Sequence, residues 1–282
     1  LSGVALAGQE VEEVSVSAPS RITPVGRITP FRAHRIWERN YLVYRRLWKI
    51  IFTGFFEPVF YLFSMGVGLG ALVGDVSGPG GTVISYTAFV APALMAASAM
   101  NGAVMETTFN IFFKLKFGNT YEGILTTPMR PFDIAVGEIG WALFRGALYS
   151  TAFLIVMIFM GLTGSWIAIL TIPASVLVGF GFGAVGLTAC TFMRSWQDFD
   201  LVTLVTMPLF LFSATFYPLD VYPPILQQIA KISPLYHGTE LLRGLSLGVL
   251  DWSMLGHVAF LLVMGIVGAL IANRRLDGLL RK

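Results

Sequence analysis

The chain has 282 residues, of which 55% are apolar and only 12% are charged, and its formal net charge is +3. Soluble domains carry about 25% charged residues. This composition, with a mean hydropathy of +0.74, excludes an ordinary soluble domain, a disordered chain and a nucleic-acid-binding protein, and it indicates an integral membrane protein. The apolar residues form long runs rather than alternating segments, which favours helices over a β-barrel.

The N-terminal part contains two segments of different character. Residues 1–30 are rich in Ser, Pro and Glu without helical periodicity, so we expect a disordered cytoplasmic tail. Residues 31–49 interleave arginines with aromatic and aliphatic residues. Aromatic rings and basic side chains suit the membrane–water interface, and the segment is predicted to be an interfacial helix. The simpler alternative is that it is only the charged flank of the following span.

Six apolar segments are long enough to cross a bilayer. A helix needs about 20 residues to cross about 30 Å of hydrocarbon. The six segments lie at about 50–73, 83–113, 132–160, 165–193, 199–217 and 252–272. The predicted fold class is therefore an all-α integral membrane protein with six transmembrane helices, in one transmembrane domain over residues 31–282.

The distribution of Lys and Arg predicts the orientation of the chain. If the N-terminus is cytoplasmic, the cytoplasmic segments hold 16 of the 19 basic residues, and the outer segments hold only Lys231 and Arg243. Cytoplasmic loops of membrane proteins collect Lys and Arg. Both termini are therefore predicted to lie on the cytoplasmic side of the plasma (inner) membrane.

Two connections between the predicted spans are unusual. The cytoplasmic loop 114–131 contains a short helical pattern at about 119–127, which ends where Pro128 follows two threonines. The outer segment 214–251 is rich in proline yet largely apolar. Because irregular backbone at membrane depth must be buried in protein or line a cavity, this segment is predicted to form a pair of re-entrant helices. The residues Phe216, Tyr217 and Pro218 precede that pair and are predicted to close the outer end of a pathway.

Catalytic and cofactor motifs are missing from the sequence. It contains no phosphate-binding loop and no Gly-Lys pair, so no nucleotide site is expected in this chain. His34, His237 and His257 are too scattered in sequence to suggest a metal cluster, and the single Cys190 cannot form an internal disulfide. The chain is expected to hold no cofactor or metal and not to be an enzyme.

Charged residues inside the predicted spans are candidate functional residues, because each costs about 2.5–3.5 kcal/mol at the centre of a membrane helix. They are Glu57, Glu106, Glu138 and Arg145. Glu138 and Arg145 are seven residues apart and share a helix face. One interpretation is a polar lining that receives a substrate headgroup. The other, which we favour, is an ion pair of Arg145 with Glu106 or Glu57 that holds the helices together.

Small residues recur every four positions in two of the predicted spans, which predicts close packing of helices. They are Gly66, Gly70 and Gly74 in the first span and Gly179 and Gly183 in the fourth.

Three stretches of sequence carry a resemblance to a known family. They are RNYLVYRRLWK…EPVFYLFSMGVGLGALVG (39–74), YEGILTTPMRPFDIAVGEIGW (121–141) and TFYPLDVYPPILQQIAKISPLYHGTELLRG (215–244). Together with the predicted span pattern, they make the chain resemble the permease subunits of type-2 ABC exporters, in particular the nodulation-factor (lipo-oligosaccharide) and drug export permeases.

The resemblance implies a transport subunit that forms a dimer, expected to be a homodimer, and is driven by two copies of a separate ATPase that hold ATP and Mg. The substrate implied is amphipathic, lipid-linked or drug-like. The helix at about 119–127 would be the coupling helix, and the helix at 31–49 would also touch the ATPase. The candidate ATPase contacts are Tyr121, Glu122, Ile124, Leu125 and Arg130.

Two other functional classes remain open at this point. An intramembrane lipid-modifying enzyme needs clustered acids, histidines or a metal near one interface, and the three glutamates are far apart in sequence. A secondary transporter often has internal repeats with broken helices in matching positions, and the two halves of this chain do not match. The expected partners are the ATPase, a second permease copy and the lipid bilayer, with no nucleic acid.

Overall fold

The computed structural model describes residues 32–46, 56, 58–118 and 120–280. The predicted tail 1–30 and Glu57 lie outside these residues. The helices are α1 His34–Arg46, α2 Pro58–Val73, α3 Tyr86–Lys116, α4 Thr120–Leu125, α5 Pro131–Phe159, α6 Trp166–Cys190, α7 Asp198–Phe212, α8 Pro224–Ile232, α9 Pro234–Leu247 and α10 Ser253–Leu280. A short antiparallel hairpin, β1 Asp75–Ser77 and β2 Val83–Ser85, joins α2 to α3.

Local sequence signals explain where several helices begin and end. Ser85 precedes α3, and its hydroxyl accepts a hydrogen bond from the Ala88 N–H at 3.3 Å. Pro131 opens α5, and the Asp133 carboxylate accepts the Arg130 N–H at 2.9 Å. Helix α9 ends at Leu247 and is followed by Gly248, whose φ of 75° is left-handed. These ends follow from residue type, since each supplies an acceptor or a backbone conformation that the helix terminus needs.

Four helices in the described part are long and apolar enough to cross a membrane: α3, α5, α6 and α10. They occupy the predicted second, third, fourth and sixth spans. The predicted first and fifth spans contain the shorter helices α2 and α7, of which α7 has 15 residues. The count of six spans therefore stays a prediction.

Helix α3 forms the centre of the described structure, and 78% of its apolar 18-residue stretch is buried. It packs against α5, α6 and α9, and α6 packs closely along α10. Close approach requires glycine here, because a Cβ on Gly268 of α10 would lie 2.9 Å from the backbone carbon of Ala184 on α6. The core is therefore a set of helices in which α3 and α6 are covered on several sides.

The predicted glycine patterns behave differently from one another. A Cβ would lie 2.5 Å from the Thr87 side chain on α3 if it were added to Gly66, and 2.9 Å from it if it were added to Gly70. Both glycines therefore allow α2 to approach α3 closely. A Cβ on Gly179 would lie at ordinary contact distances, 3.4 Å from the Leu143 side chain and 3.8 Å from the Ala103 Cβ. A Cβ on Gly74, in contrast, would meet nothing within 4 Å, and the φ of Gly74 is 74°, so this glycine ends α2 rather than packing against a helix.

Two features differ from the sequence-based expectations. The hairpin was not expected in an all-α chain, and it places the start of α3 at Tyr86 rather than at residue 83. At its other end α3 continues to Lys116, so Lys114 belongs to this helix and not to a loop that starts at residue 114. The outer segment 214–251 contains a pair of helices, α8 and α9, as the sequence predicts. Helix α9 packs against α3 and α6, and its Leu235 and Leu242 side chains are buried. Whether α8 and α9 are re-entrant stays a prediction.

Candidate functional site

A cavity of about 1300 Å³ lies between α1, α2, α3, α5 and α7. Most of its wall is apolar, with residues such as Leu94, Met105 and Phe210. Tyr86 and Tyr217 lie at the end near the hairpin. The opposite end is polar, and its side chains include those of Tyr44, Glu106, Asn110, Arg145 and Tyr149; Lys114 also lines the cavity. The cavity therefore has a long apolar stretch and one concentrated polar end.

The polar end is a hydrogen-bonded group that we call the cavity cluster: Tyr44, Glu106, Asn110, Arg145 and Tyr149. Arg145 on α5 forms an ion pair with Glu106 on α3, and the two side chains are only 15% and 11% exposed. The Tyr44 hydroxyl accepts a hydrogen bond from Arg145 at 2.8 Å and donates one to Glu106 at 3.0 Å. The Asn110 amide donates to Glu106 at 2.6 Å, and Arg145 donates to the Tyr149 hydroxyl at 3.0 Å.

The sequence offered two partners for Arg145, and the structure pairs it with Glu106. Two details suit a ligand at this cluster. The Nε–H of Arg145 is buried without a hydrogen-bond partner in the described part of the chain, and an unpaired buried donor costs about 1–3 kcal/mol. Burial and the neighbouring Glu106 carboxylate raise the pKa of the Tyr44 hydroxyl, so it stays protonated and can donate.

A second group, the lysine cluster, surrounds Glu138 on α5 and comprises Asn40, Lys114, Tyr121 and Glu138. The Glu138 side chain is 1% exposed. Lys114 donates to its two oxygens at 2.8 and 2.7 Å, the Tyr121 hydroxyl donates at 3.1 Å and the Asn40 amide donates at 3.2 Å. One carboxylate thus joins α1, α3, α4 and α5.

The two clusters form two layers between the same three helices. Helix α1 supplies Asn40 and Tyr44, one turn apart, to the lysine and cavity clusters respectively. Helix α5 supplies Glu138 and Arg145, which are about 10 Å apart along its axis at 1.5 Å per residue. Although Glu138 and Arg145 share a helix face as predicted, each therefore pairs with a different residue of α3.

The short helix α4 places the predicted ATPase contacts on different sides. Glu122 is exposed, Ile124 and Leu125 are partly exposed, and Arg130 is exposed at the start of α5. Tyr121, in contrast, is 1% exposed, because its ring turns inward and its hydroxyl meets Glu138. Tyr121 was predicted to contact a partner directly; its burial instead makes it the link between α4 and the helices behind it. Burial and Glu138 also raise the pKa of the Tyr121 hydroxyl, which keeps it a donor.

At the other end of the cavity, the predicted closing residues divide between two spaces. Phe216 is 8% exposed and packs on Phe210 with ring centroids 5.1 Å apart, and Phe216 and Tyr217 both line the large cavity. Pro218 lines a separate, smaller pocket instead. The chain segment 216–218 therefore lies between the two spaces.

Arg243 on α9 holds the backbone just before this segment, although sequence reasoning treated it only as a basic residue of an outer connection. Its side chain is 2% exposed and forms an ion pair with Glu240. It donates to the carbonyl oxygens of Ala214 at 2.8 Å and of Phe89 at 3.2 Å. Ala214 has a φ of 53°, which is strained for a residue with a Cβ. No sequence pattern signals these contacts, since Arg243 reaches partners 29 and 154 residues away.

The fold also brings together two of the three histidines that looked scattered in sequence. The Nδ1 atoms of His237 and His257 lie 2.7 Å apart, and the His237 ring stacks on Phe260. No group of three or more potential metal ligands occurs among the described residues. The pair joins α9 to α10.

A family model described as ABC-2 type transporter matches residues 33–247. The chain is similar to Nodulation protein J of Rhizobium leguminosarum bv. viciae, with 34% identity over 84% of this chain and 91% of the relative. It is 32% identical to Nodulation protein J of Rhizobium meliloti over 76% of this chain and 80% of that protein. The Inner membrane transport permease YadH of Escherichia coli is 26% identical over 77% of this chain and 83% of its own length.

Proposed function

This chain belongs to the ABC-2 type transporter family, and we propose that it is the membrane permease subunit of an ATP-driven exporter for an amphipathic, lipid-linked or drug-like molecule. The observation that carries the proposal is the large cavity with an apolar wall and one polar end. Ligand pockets for drug-sized molecules measure about 300–1,000 Å³, and this space is larger. Its wall suits a molecule with an extended apolar part and a compact polar head.

The cavity cluster is where the polar head would enter. The charges of Arg145 and Glu106 are already paired, so the cluster does not demand a strongly charged ligand. The unpaired Arg145 Nε–H and the hydroxyls of Tyr44 and Tyr149 offer hydrogen bonds to head-group oxygens. In the predicted orientation, with both termini cytoplasmic, the cluster lies near the cytoplasmic side, where an exported molecule is collected.

The lysine cluster could transmit a movement of a bound ATPase to the large cavity. Two ATPase copies, with ATP and Mg, would bind the cytoplasmic face of a permease dimer and contact the exposed side of α4. A displacement of α4 would act on Tyr121 and hence on Glu138. Glu138 on α5 is also bound to α1 and α3, so the displacement would move these three helices together. The same helices carry the cavity cluster, including Arg145 and Glu106, about two turns away from Glu138. ATP binding would thus favour one of two arrangements of the cavity.

A co-purification tests this function. The tagged chain is isolated from detergent-solubilised native membranes, and the proteins retained with it are identified by mass spectrometry. We expect a stoichiometric ATPase that carries a phosphate-binding loop. Glu122→Lys, on the exposed side of α4, should release the ATPase, whereas the same change at exposed Asp251, on the predicted outer side, should retain it.

Two results would contradict the proposal. A chain that purifies without any ATPase while still acting on a lipid would favour a lipid-modifying enzyme or a secondary transporter. If the Glu122→Lys variant and a Leu125→Asp variant both retain the ATPase, α4 does not form the contact with it. Transport is then measured in vesicles that contain the permease with its ATPase, with ATP omitted as the control.

A further inference from the structure

Two histidines meet where α9 contacts α10, on the predicted outer side of the protein. His237 lies near the start of α9 and His257 near the start of α10, and both side chains are partly buried. Their Nδ1 atoms are 2.7 Å apart, and the His237 ring also stacks on Phe260 of α10 with ring centroids 4.0 Å apart. These two contacts tie the beginning of α9 to the beginning of α10.

The two Nδ1 atoms point directly at each other. The centroids of the two histidine rings are 5.0 Å apart, which equals the distance between the nitrogens plus the radii of two imidazole rings. A neutral imidazole has one N–H and one acceptor nitrogen, and at this distance only an N–H that faces an acceptor makes a stable contact. The two rings therefore share one proton. A metal ion bound by both rings would instead require the nitrogens to converge on a point beside the line that joins them.

Few charges surround the histidine pair. The outer stretches of α3 and α5, residues 86–105 and 146–159, and the whole of α6 contain no charged residue. Between residues 218 and 252, the charged or titratable side chains other than His237 are Asp220, Tyr222, Lys231, Tyr236, Glu240, Arg243 and Asp251. Burial and the neighbouring His257 ring lower the pKa of His237, so the pair is uncharged at neutral pH.

Acid removes the contact between the rings in two steps. The first added proton charges one ring and leaves the shared N–H in place. The second gives both Nδ1 atoms a hydrogen, so the acceptor is lost and two positive charges face each other. The charged His237 then also competes for Glu240, one turn further along α9, which is the carboxylate paired with Arg243.

We propose that His237 and His257 form an acid-sensitive latch, which holds α9 to α10 while the rings share a proton and releases α9 when both rings are protonated from the outer side. Helix α9 carries Arg243, which donates to the Ala214 carbonyl at 2.8 Å. Release of α9 therefore loosens the anchor of the segment 216–218 at the outer end of the large cavity. The latch goes beyond the proposed export function and does not depend on it, so the ATPase pull-down tests that function separately.

The pH dependence of stability tests the shared proton. Histidine is the side chain whose ordinary pKa lies between about 5 and 8, and the chain has three histidines. The melting temperature of the purified chain in detergent should fall by about 3–5 °C per pH unit below about pH 6.5, because the unfolded chain then binds about one proton more than the folded chain. His257→Gln and His237→Gln each supply an amide oxygen that accepts the N–H of the remaining ring in either charge state, so both variants should lose this dependence. His34→Gln, at an exposed position on α1, should keep it.

Hydrogen exchange of the full chain, read by mass spectrometry, tests the release of α9. At about pH 5.5 the amides of α9 should exchange about tenfold faster in the unmodified chain than in His257→Gln, since a difference of one bound proton changes the opening equilibrium tenfold per pH unit. At about pH 7.5 the two proteins should exchange alike. Equal exchange of α9 at the acidic pH in the unmodified chain and both glutamine variants would overturn the latch. An acid-induced increase that is as large in α3 as in α9, or slower exchange of α9 in acid, would overturn it as well.

Discussion

Removing the charge of Glu138 should destabilise the protein strongly, and removing Lys114 as well should restore much of the loss. Glu138→Gln leaves the Lys114 ammonium, which is 12% exposed, without its carboxylate. Loss of one partner of a buried pair costs about 3–5 kcal/mol. Replacing both members with residues of similar volume is often neutral, since the cost of desolvating the charges disappears with them. The double variant Glu138→Gln/Lys114→Met should therefore be more stable than Glu138→Gln alone.

The stability of the four members of this double-mutant cycle is measured by thermal unfolding of the purified chain in one detergent, with size-exclusion profiles before heating. At about 2–4 °C per kcal/mol for a chain of this size, Glu138→Gln should lower the melting temperature by about 6–20 °C. The double variant should recover at least half of that loss. Equal melting temperatures for Glu138→Gln and the double variant, or no loss in Glu138→Gln, would refute the buried pair as described. Export measured on the double variant should remain low, because Tyr121 then loses its carboxylate partner.

Two further changes test the cavity cluster and the helix packing. Arg145→Lys keeps a positive charge beside Glu106 but loses the several N–H donors of the guanidinium. We therefore expect this variant to assemble normally, as measured by size exclusion, and to export about tenfold less substrate or lower still. Full export by this variant would show that the pair only holds the helices together. Gly268→Ala places a methyl group 2.9 Å from the backbone of Ala184 and should lower the melting temperature by about 2–12 °C, for a cost of about 1–3 kcal/mol. The control is Gly256→Ala on the same helix, whose methyl group meets nothing within 4 Å and should leave the melting temperature unchanged. Equal effects of the two changes on the melting temperature would contradict the tight α6–α10 contact.

Hydrophobic length predicted three of the four long helices within a few residues, whereas α10 continues to Leu280, eight residues beyond the predicted segment. The segment 132–160 corresponds to α5 Pro131–Phe159, and 165–193 corresponds to α6 Trp166–Cys190. This agreement has a direct cause, because a run of apolar residues must satisfy its own backbone hydrogen bonds wherever water is absent. The short helix at about 119–127 is present as Thr120–Leu125, since the threonines and Pro128 stop it locally. The hairpin was missed because its strands have three residues each, too few for a periodic pattern.

Only part of each cluster could be recognised in the sequence. The four intramembrane charges stood out because charge is rare in such segments. Their partners Asn40 and Tyr44 did not stand out, because they lie in a segment where polar and aromatic residues are ordinary. Lys114 was assigned to a loop because the uninterrupted apolar run ends at residue 113, where the basic residues Lys114 and Lys116 begin.

The sequence by itself therefore determined the class of the protein, the places of its long helices and its likeness to type-2 ABC permeases, since these depend on composition and on local runs of residues. The tertiary structure decided which charges meet, that Tyr121 faces inward and that Arg243 is buried under the outer segment. Such contacts join residues 17 to 154 positions apart. They depend on how the helices rotate and cross, which is set by packing across the whole core rather than by any one segment.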